Sequence, residues 1–135
     1  MHLHVSLCDA TTGTPLFSQQ QTPQHPVPHH HTHTQHHKLS PVGAGFVEGI
    51  LRHLRGLLGL SMPTANSFRR VGPGCWTGSV IGWNLEDKDC GVRVCANLHT
   101  KEWDHVEFKF CDSSANLYLA LAALLSSGLE GITQA

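Results

Sequence analysis

Residues 105–110 read HVEFKF, and Val106, Phe108 and Phe110 alternate there with His105, Glu107 and Lys109. Successive side chains of a β-strand point to opposite faces. The run therefore predicts a strand with one apolar face and one face carrying an imidazole, a carboxylate and an ammonium. CDSSANLYLALAALLSSGLEGI follows at 111–132. Asp112, Ser113 and Ser114 offer capping side chains. The apolar run behind them predicts a helix over about 115–127 that stops at Gly128.

The same two-residue period recurs upstream. In MHLHVSL (1–7), Leu3, Val5 and Leu7 alternate with His2, His4 and Ser6; in GVRVC (91–95), Val92 and Val94 oppose Arg93. SVIGW (79–83) is a further short strand. Ser40 and Pro41 open a helical pattern, serine as cap and proline in the first turn. Its apolar face is Phe46, Ile50, Leu51, Leu54, Leu57 and Leu58, and Gly59 and Pro63 end it. A turn-rich stretch, SMPTANSFRRVGPG (61–74), follows. The fold class is α+β, a partial antiparallel sheet with flanking helices. If the strands at 1–7, 91–95 and 105–110 share that sheet, their polar faces gather His2, His4, Ser6, Arg93, His105, Glu107 and Lys109 on one surface. Such a surface is either the solvated side of a half-buried sheet or a site for metal and phosphate.

Composition narrows the classes. The chain has 135 residues, 40% of them hydrophobic, with a formal net charge of −1. That suffices for one domain at most, or part of a larger one. Nothing in its bulk charge attracts nucleic acid or an anionic membrane. No apolar run reaches the roughly 18–20 residues that span a bilayer, and the N-terminus lacks the basic region of a signal peptide. Five cysteines without CxxC spacing read as reduced thiols, which points to the cytoplasm. Three stretches follow: 1–17, a strand and turn; 18–38, a low-complexity insert holding seven of the twelve histidines; and 39–135, the remaining folded segment. The insert has no hydrophobic period and contains Pro23, Pro26 and Pro28, so a disordered surface loop is expected. Its histidines invite weak metal binding, but a tolerated repeat expansion accounts for them as well.

Four segments in order carry a resemblance to the catalytic domain of glutamine synthetases. MHLHVSL resembles the family's strand with an HxH pair, and FVEGILRHLRGLLGL (46–60) the helix after it. NSFRRVGPG (66–74) is similar to the signature NSYKRLVPG, and VEFKFCDSSANLYLALAALLSSGLEGI (106–132) to the pattern ANPYLALAA…GLDGI. The resemblance covers 1–10 and about 39–132. It implies a fragment of an ATP-dependent glutamate–ammonia or glutamate–amine ligase acting through a γ-glutamyl phosphate, with Mg2+ or Mn2+. By resemblance His2 and Glu107 are metal ligands, and His4, Ser6 and Arg93 lie along the nucleotide. Arg70 and Arg93 are the catalytic arginines. Arg70, Lys88 and Lys109 bind substrate, the two lysines standing where the family has arginines. The full-length parent is expected to be a homo-oligomer, and the remaining metal-binding glutamates to lie outside this sequence.

Two departures bear on activity. Trp76 stands where the family has a flap glutamate, and His105 where the bacterial-type enzymes have an arginine. The tryptophan with the following Thr77-Gly78 is similar to a plant and fungal subgroup in which the domain follows an amidohydrolase-like domain. These departures leave a second reading open, a catalytically inactive scaffold or assembly module. A third is a free-standing metal binder using the histidine tract.

Overall fold

The computed structural model describes residues 1–19, 39–100 and 102–135. The expected insert, apart from its first residues, lies outside them. Four strands are present: β1 (Leu3–Val5), β2 (Val80–Leu85), β3 (Cys90–Ala96) and β4 (Trp103–Phe108). They form one sheet in the order β1-β4-β3-β2. β4 lies antiparallel to both β1 and β3, as the expected antiparallel sheet requires. β2, on the edge, runs parallel to β3, with a register irregularity between Val80 and Trp83.

Helix α1 (Pro41–Arg52) begins where the sequence places it. Ser40 is its N-cap, its Oγ accepting from the Gly43 amide at 2.9 Å, and Pro41 fills the first turn. The same hydroxyl donates to the Leu16 carbonyl. The expected single helix is broken at His53, and α2 (Leu54–Ser61) continues it. Gly59 lies within α2 and does not end it. Ser18 bridges to Leu39, and the Ser18 hydroxyl accepts from the Trp103 amide at 2.6 Å. The 1–19 segment is thus pinned to both α1 and β4.

Helix α3 spans Leu117–Gln134, later in start and end than expected. Asn116 caps it, its Oδ1 accepting from the amides of Tyr118 and Leu119. Gly128 does not terminate it, because its work is in packing. A Cβ there would overlap the Phe46 ring of α1. A Cβ on Gly49 would overlap the Ser127 carbonyl oxygen, and one on Gly131 the Gly45 carbonyl oxygen. The two helices cross backbone to backbone, and only glycine permits that distance.

The core fills the space between this helix pair and the sheet. Phe46, Val47 and Ile50 of α1, Leu54 and Leu57 of α2, and Ala120 and Leu124 of α3 meet Val92, Val94, Val106 and Phe108. All are buried. The apolar face of HVEFKF is therefore the one turned inward, as predicted, and its polar face lies on the far side of the sheet.

Candidate active site

Strand register builds the site. Glu107 of β4 pairs with His4 of β1 on one side and Arg93 of β3 on the other, and Arg93 pairs in turn with Asn84 of β2. One rung across four strands thus carries an imidazole, a carboxylate and a guanidinium. The next rung begins at His2 and Lys109, whose amide donates to the Gly91 carbonyl at 2.9 Å.

The middle of the polar face is not solvated. Glu107 is 5% exposed and Lys109 2%. A carboxylate seldom tolerates such burial unless paired, and here it is paired twice. Arg93 Nε donates to Glu107 Oε2 at 2.7 Å, and His2 Nδ1 lies 2.7 Å from Glu107 Oε1. His4 Nε2 stands 3.5 Å from the same oxygen. Burial pushes the Glu107 carboxyl up, but the His2 hydrogen bond and the Arg93 charge outweigh it, and the group is held below the usual carboxylate range. An ionised carboxylate only accepts. The proton in the His2–Glu107 bond therefore sits on Nδ1, which leaves Nε2 as the ring's lone-pair donor. Burial also works against the Arg93 charge, while Cys95, Glu107 and Glu86 hold its guanidinium above its ordinary value. His4 is pushed down by burial first, and next by His105, His2 and Arg93, against the pull of Glu107.

These groups line a pocket of about 310 Å³, formed by His2, Trp76, Lys88, Arg93, Glu107 and Lys109. Lys88, Arg93 and Lys109 line it beside a single carboxylate, a balance that favours an anion. Of the residues singled out from the sequence, His2, Lys88, Arg93, Glu107 and Lys109 come together here. His4 touches Glu107 from the rim. Ser6 is exposed beyond the end of β1 and is not among the lining residues. Arg70 also lies outside the lining; its guanidinium donates to the Cys111 carbonyl, and the Arg70 carbonyl accepts from Thr77 Oγ1 at 2.5 Å. Lys109 Nζ donates to the Lys88 carbonyl, tying β4 to the turn before β3.

Trp76 is the lining residue that the sequence marked only as a departure from pattern. Its neighbours held the available signal: Gly74 and Gly78 both adopt positive φ, +75° and +78°. Such a pair marks a built loop.

Whether the pocket suits a divalent ion is a matter of donor count. His2 and Glu107 supply an imidazole nitrogen and a carboxylate. Among the described residues no group of three or more His, Cys, Asp or Glu side chains is placed to hold a metal ion. A hard divalent ion takes six or more ligands, mostly oxygen. The two residues fit as part of a ligand set and do not complete one.

The depressed Glu107 carboxyl has a signed consequence. The folded state favours the ionised form, so its contribution is full above the ordinary value of about 4.3 and is lost as pH falls through the lower folded value. In urea titrations, the stability difference between wild type and Glu107→Gln is expected to be largest at pH 6 and to shrink toward pH 3. A difference that stays constant would contradict the pairing.

The comparisons with known proteins bear on the family and the fold. The family described as "Glutamine synthetase, catalytic domain" matches residues 1–135. The chain belongs to the glutamine synthetase family. The glutamine synthetase of Pyrococcus woesei is 32% identical over 132 residues, covering 98% of this chain and 26% of that protein. The Helicobacter pylori glutamine synthetase (strain ATCC 700392 / 26695) is 36% identical over 94 residues, 70% of this chain and 19% of that protein. This chain therefore spans about a fifth to a quarter of these two relatives. A solved structure described as a novel glutamine synthase homolog superposes with a TM-score of 0.74 at 30% identity, covering 98% of this chain and 29% of that one. A GmaS/ADP complex gives 0.71 at 27%, covering 98% and 27%. These synthetase-like folds share the mixed sheet and flanking helices. Among the described residues no helix is long and apolar enough to cross a membrane.

Proposed function

We propose that this chain is part of the catalytic domain of an ATP-dependent ligase that joins the γ-carboxylate of glutamate to ammonia or another amine. The observation that carries this reading is the buried carboxylate of Glu107, held between His2 and Arg93 in a pocket that otherwise presents cations. Transfer of a phosphoryl group to a carboxylate brings two anions together, so the site must neutralise charge in advance. Arg93 and Lys88 are the residues for the phosphate. Lys109 and Arg70 are assigned to glutamate, and His4 and Ser6 to the nucleotide. His2 Nε2 and Glu107 would hold a share of a Mg2+ or Mn2+ ion, which when bound screens the phosphate oxygens. The carboxylate attacks the terminal phosphorus of ATP, ADP leaves and γ-glutamyl phosphate forms; the amine then displaces phosphate at the acyl carbon and gives up one proton as the amide forms.

Lysine keeps the charge of the family's arginines but loses the two-pronged fork. That, with the Lys109–Lys88 tether and Trp76 in the pocket, supports the second reading of an inactive scaffold. The oligomeric state, the cytoplasmic location and the affinity with the amidohydrolase-linked subgroup are parts of the same family reading. For the subgroup, the support is Trp76 with Thr77-Gly78.

A graft tests the proposal. Residues 1–135 replace the matching quarter of the Pyrococcus woesei protein. With ATP, Mg2+, glutamate and ammonium or an organic amine, the graft is expected to release phosphate, and its Glu107→Gln form to lose about two orders of magnitude or more. A graft that binds nucleotide with Mg2+ yet turns over no amine, or binds none, would favour the scaffold. The 135 residues alone are expected to show no turnover, because their ion site is incomplete.

A further inference from the structure

Trp76 presents its indole to the pocket and to solvent at once, 72% exposed. Its loop is held in place from both sides. Thr77 is buried and donates to the Arg70 carbonyl. Cys75 and Gly78 amides close successive turns onto the Gly72 and Cys75 carbonyls, each at 3.1 Å. Gly78, at φ +78°, packs against the turn that carries Lys88 so closely that a Cβ would overlap the Asp89 carbonyl. The indole and Lys88 are therefore fixed as neighbours by backbone contact. The Lys88 ammonium stands over the Trp76 ring, 5.9 Å from its centroid, within cation–π range.

We propose that the Trp76 face is the seat of the acceptor, and that the acceptor is an organic primary amine with an apolar or aromatic substituent rather than ammonia. This rests on the ligase reading. Ammonia has no surface to lay on an indole, whereas an alkyl or aryl group gains from covering an exposed ring. The nitrogen then points toward Lys88, Arg93 and Lys109. Neighbouring cations disfavour the protonated amine, so the pocket holds it as the free base, the nucleophilic form. Its lone pair forms the C–N bond at the acyl carbon. The C–O bond to phosphate breaks, its electron pair leaving with phosphate, and the nitrogen passes one proton to that phosphate. Lys88 links the two halves: an anion in the pocket draws its ammonium off the ring and uncovers the seat.

The test uses the 135-residue chain labelled with 5-fluorotryptophan, its Trp76 ¹⁹F resonance assigned by loss in Trp76→Phe. Benzylamine is expected to move the Trp76 signal in a saturable way while Trp83 and Trp103 stay put. Observed on the benzylamine signals, affinity falls roughly fivefold in Trp76→Ala, the size of one ring contact, and recovers in Trp76→Phe. Inorganic phosphate tightens benzylamine several-fold in wild type and not in Lys88→Ala. An unmoved Trp76 signal, or equal affinity in wild type and Trp76→Ala, overturns the proposal. Phosphate release by the ligase graft with ammonium but not benzylamine would also overturn it and leave the ligase reading standing. A Trp76-dependent benzylamine site beside a graft that never binds ATP would sink the ligase reading and with it the acceptor role, leaving an amine-binding face only.

Discussion

Glu107→Ala is expected to lower the stability of this chain by about 3 kcal/mol, the usual cost of removing one member of a buried ion pair. The side chains of Glu107 and Arg93 are 6% and 18% exposed, so water does little to replace the lost partner. The guanidinium is left facing Lys88 and Lys109 with no carboxylate between them. Replacing both partners by apolar groups of similar volume, Arg93→Met with Glu107→Leu, should recover much of the loss, because no uncompensated charge remains. Urea denaturation of Arg93→Met, Glu107→Leu and the double variant measures the coupling. Additive losses would mean that the 2.7 Å contact carries no energy.

The second large effect lies at the helix crossing. Gly131→Val places a branched side chain where the Gly45 carbonyl and the Gly49 backbone already sit. Backbone cannot swing aside as a flexible side chain can. The helices must separate, and the cost is expected at about 3 kcal/mol or more. In a chain of marginal stability that is a large share of the total. Gly56→Ala in α2 makes the contrast. A Cβ there meets nothing within 4 Å, and alanine is the better helix former by up to about 1 kcal/mol. Thermal unfolding should therefore shift down for the first variant and up for the second. Equal shifts would remove the close crossing from the account.

The contrast between these glycines also explains what was legible in the sequence. HVEFKF declared both its faces, because strand alternation is a local property, and the register then brought His2, His4, Arg93 and Glu107 into adjacent positions. Ser40 and Pro41 were equally plain, since capping involves only a few neighbouring residues. Gly128 was misread as a helix stop. A glycine that ends a helix and one that admits a second helix look alike until the partner is known. That partner, Phe46, lies 82 positions away. The direction of β2 was hidden for the same reason: alternation gives a strand its faces but not its orientation. The site shows both situations. The cations and the carboxylate could be collected on one face from alternation, with their roles coming from resemblance. The tether of Lys109 to the Lys88 carbonyl and the presence of Trp76 in the lining depend on how the 71–79 loop packs against the 86–90 turn, which no local pattern encodes.

The site exists because His2, Glu107 and Arg93 meet across three strands, and the tautomer of His2 reports on that meeting directly. In ¹⁵N-histidine spectra of the 135-residue chain near pH 7.5, the His2 ring is predicted to carry its proton on Nδ1, and to lose that preference in Glu107→Leu. A His2 ring with the same nitrogen shifts in both proteins would contradict the contact and the site built on it.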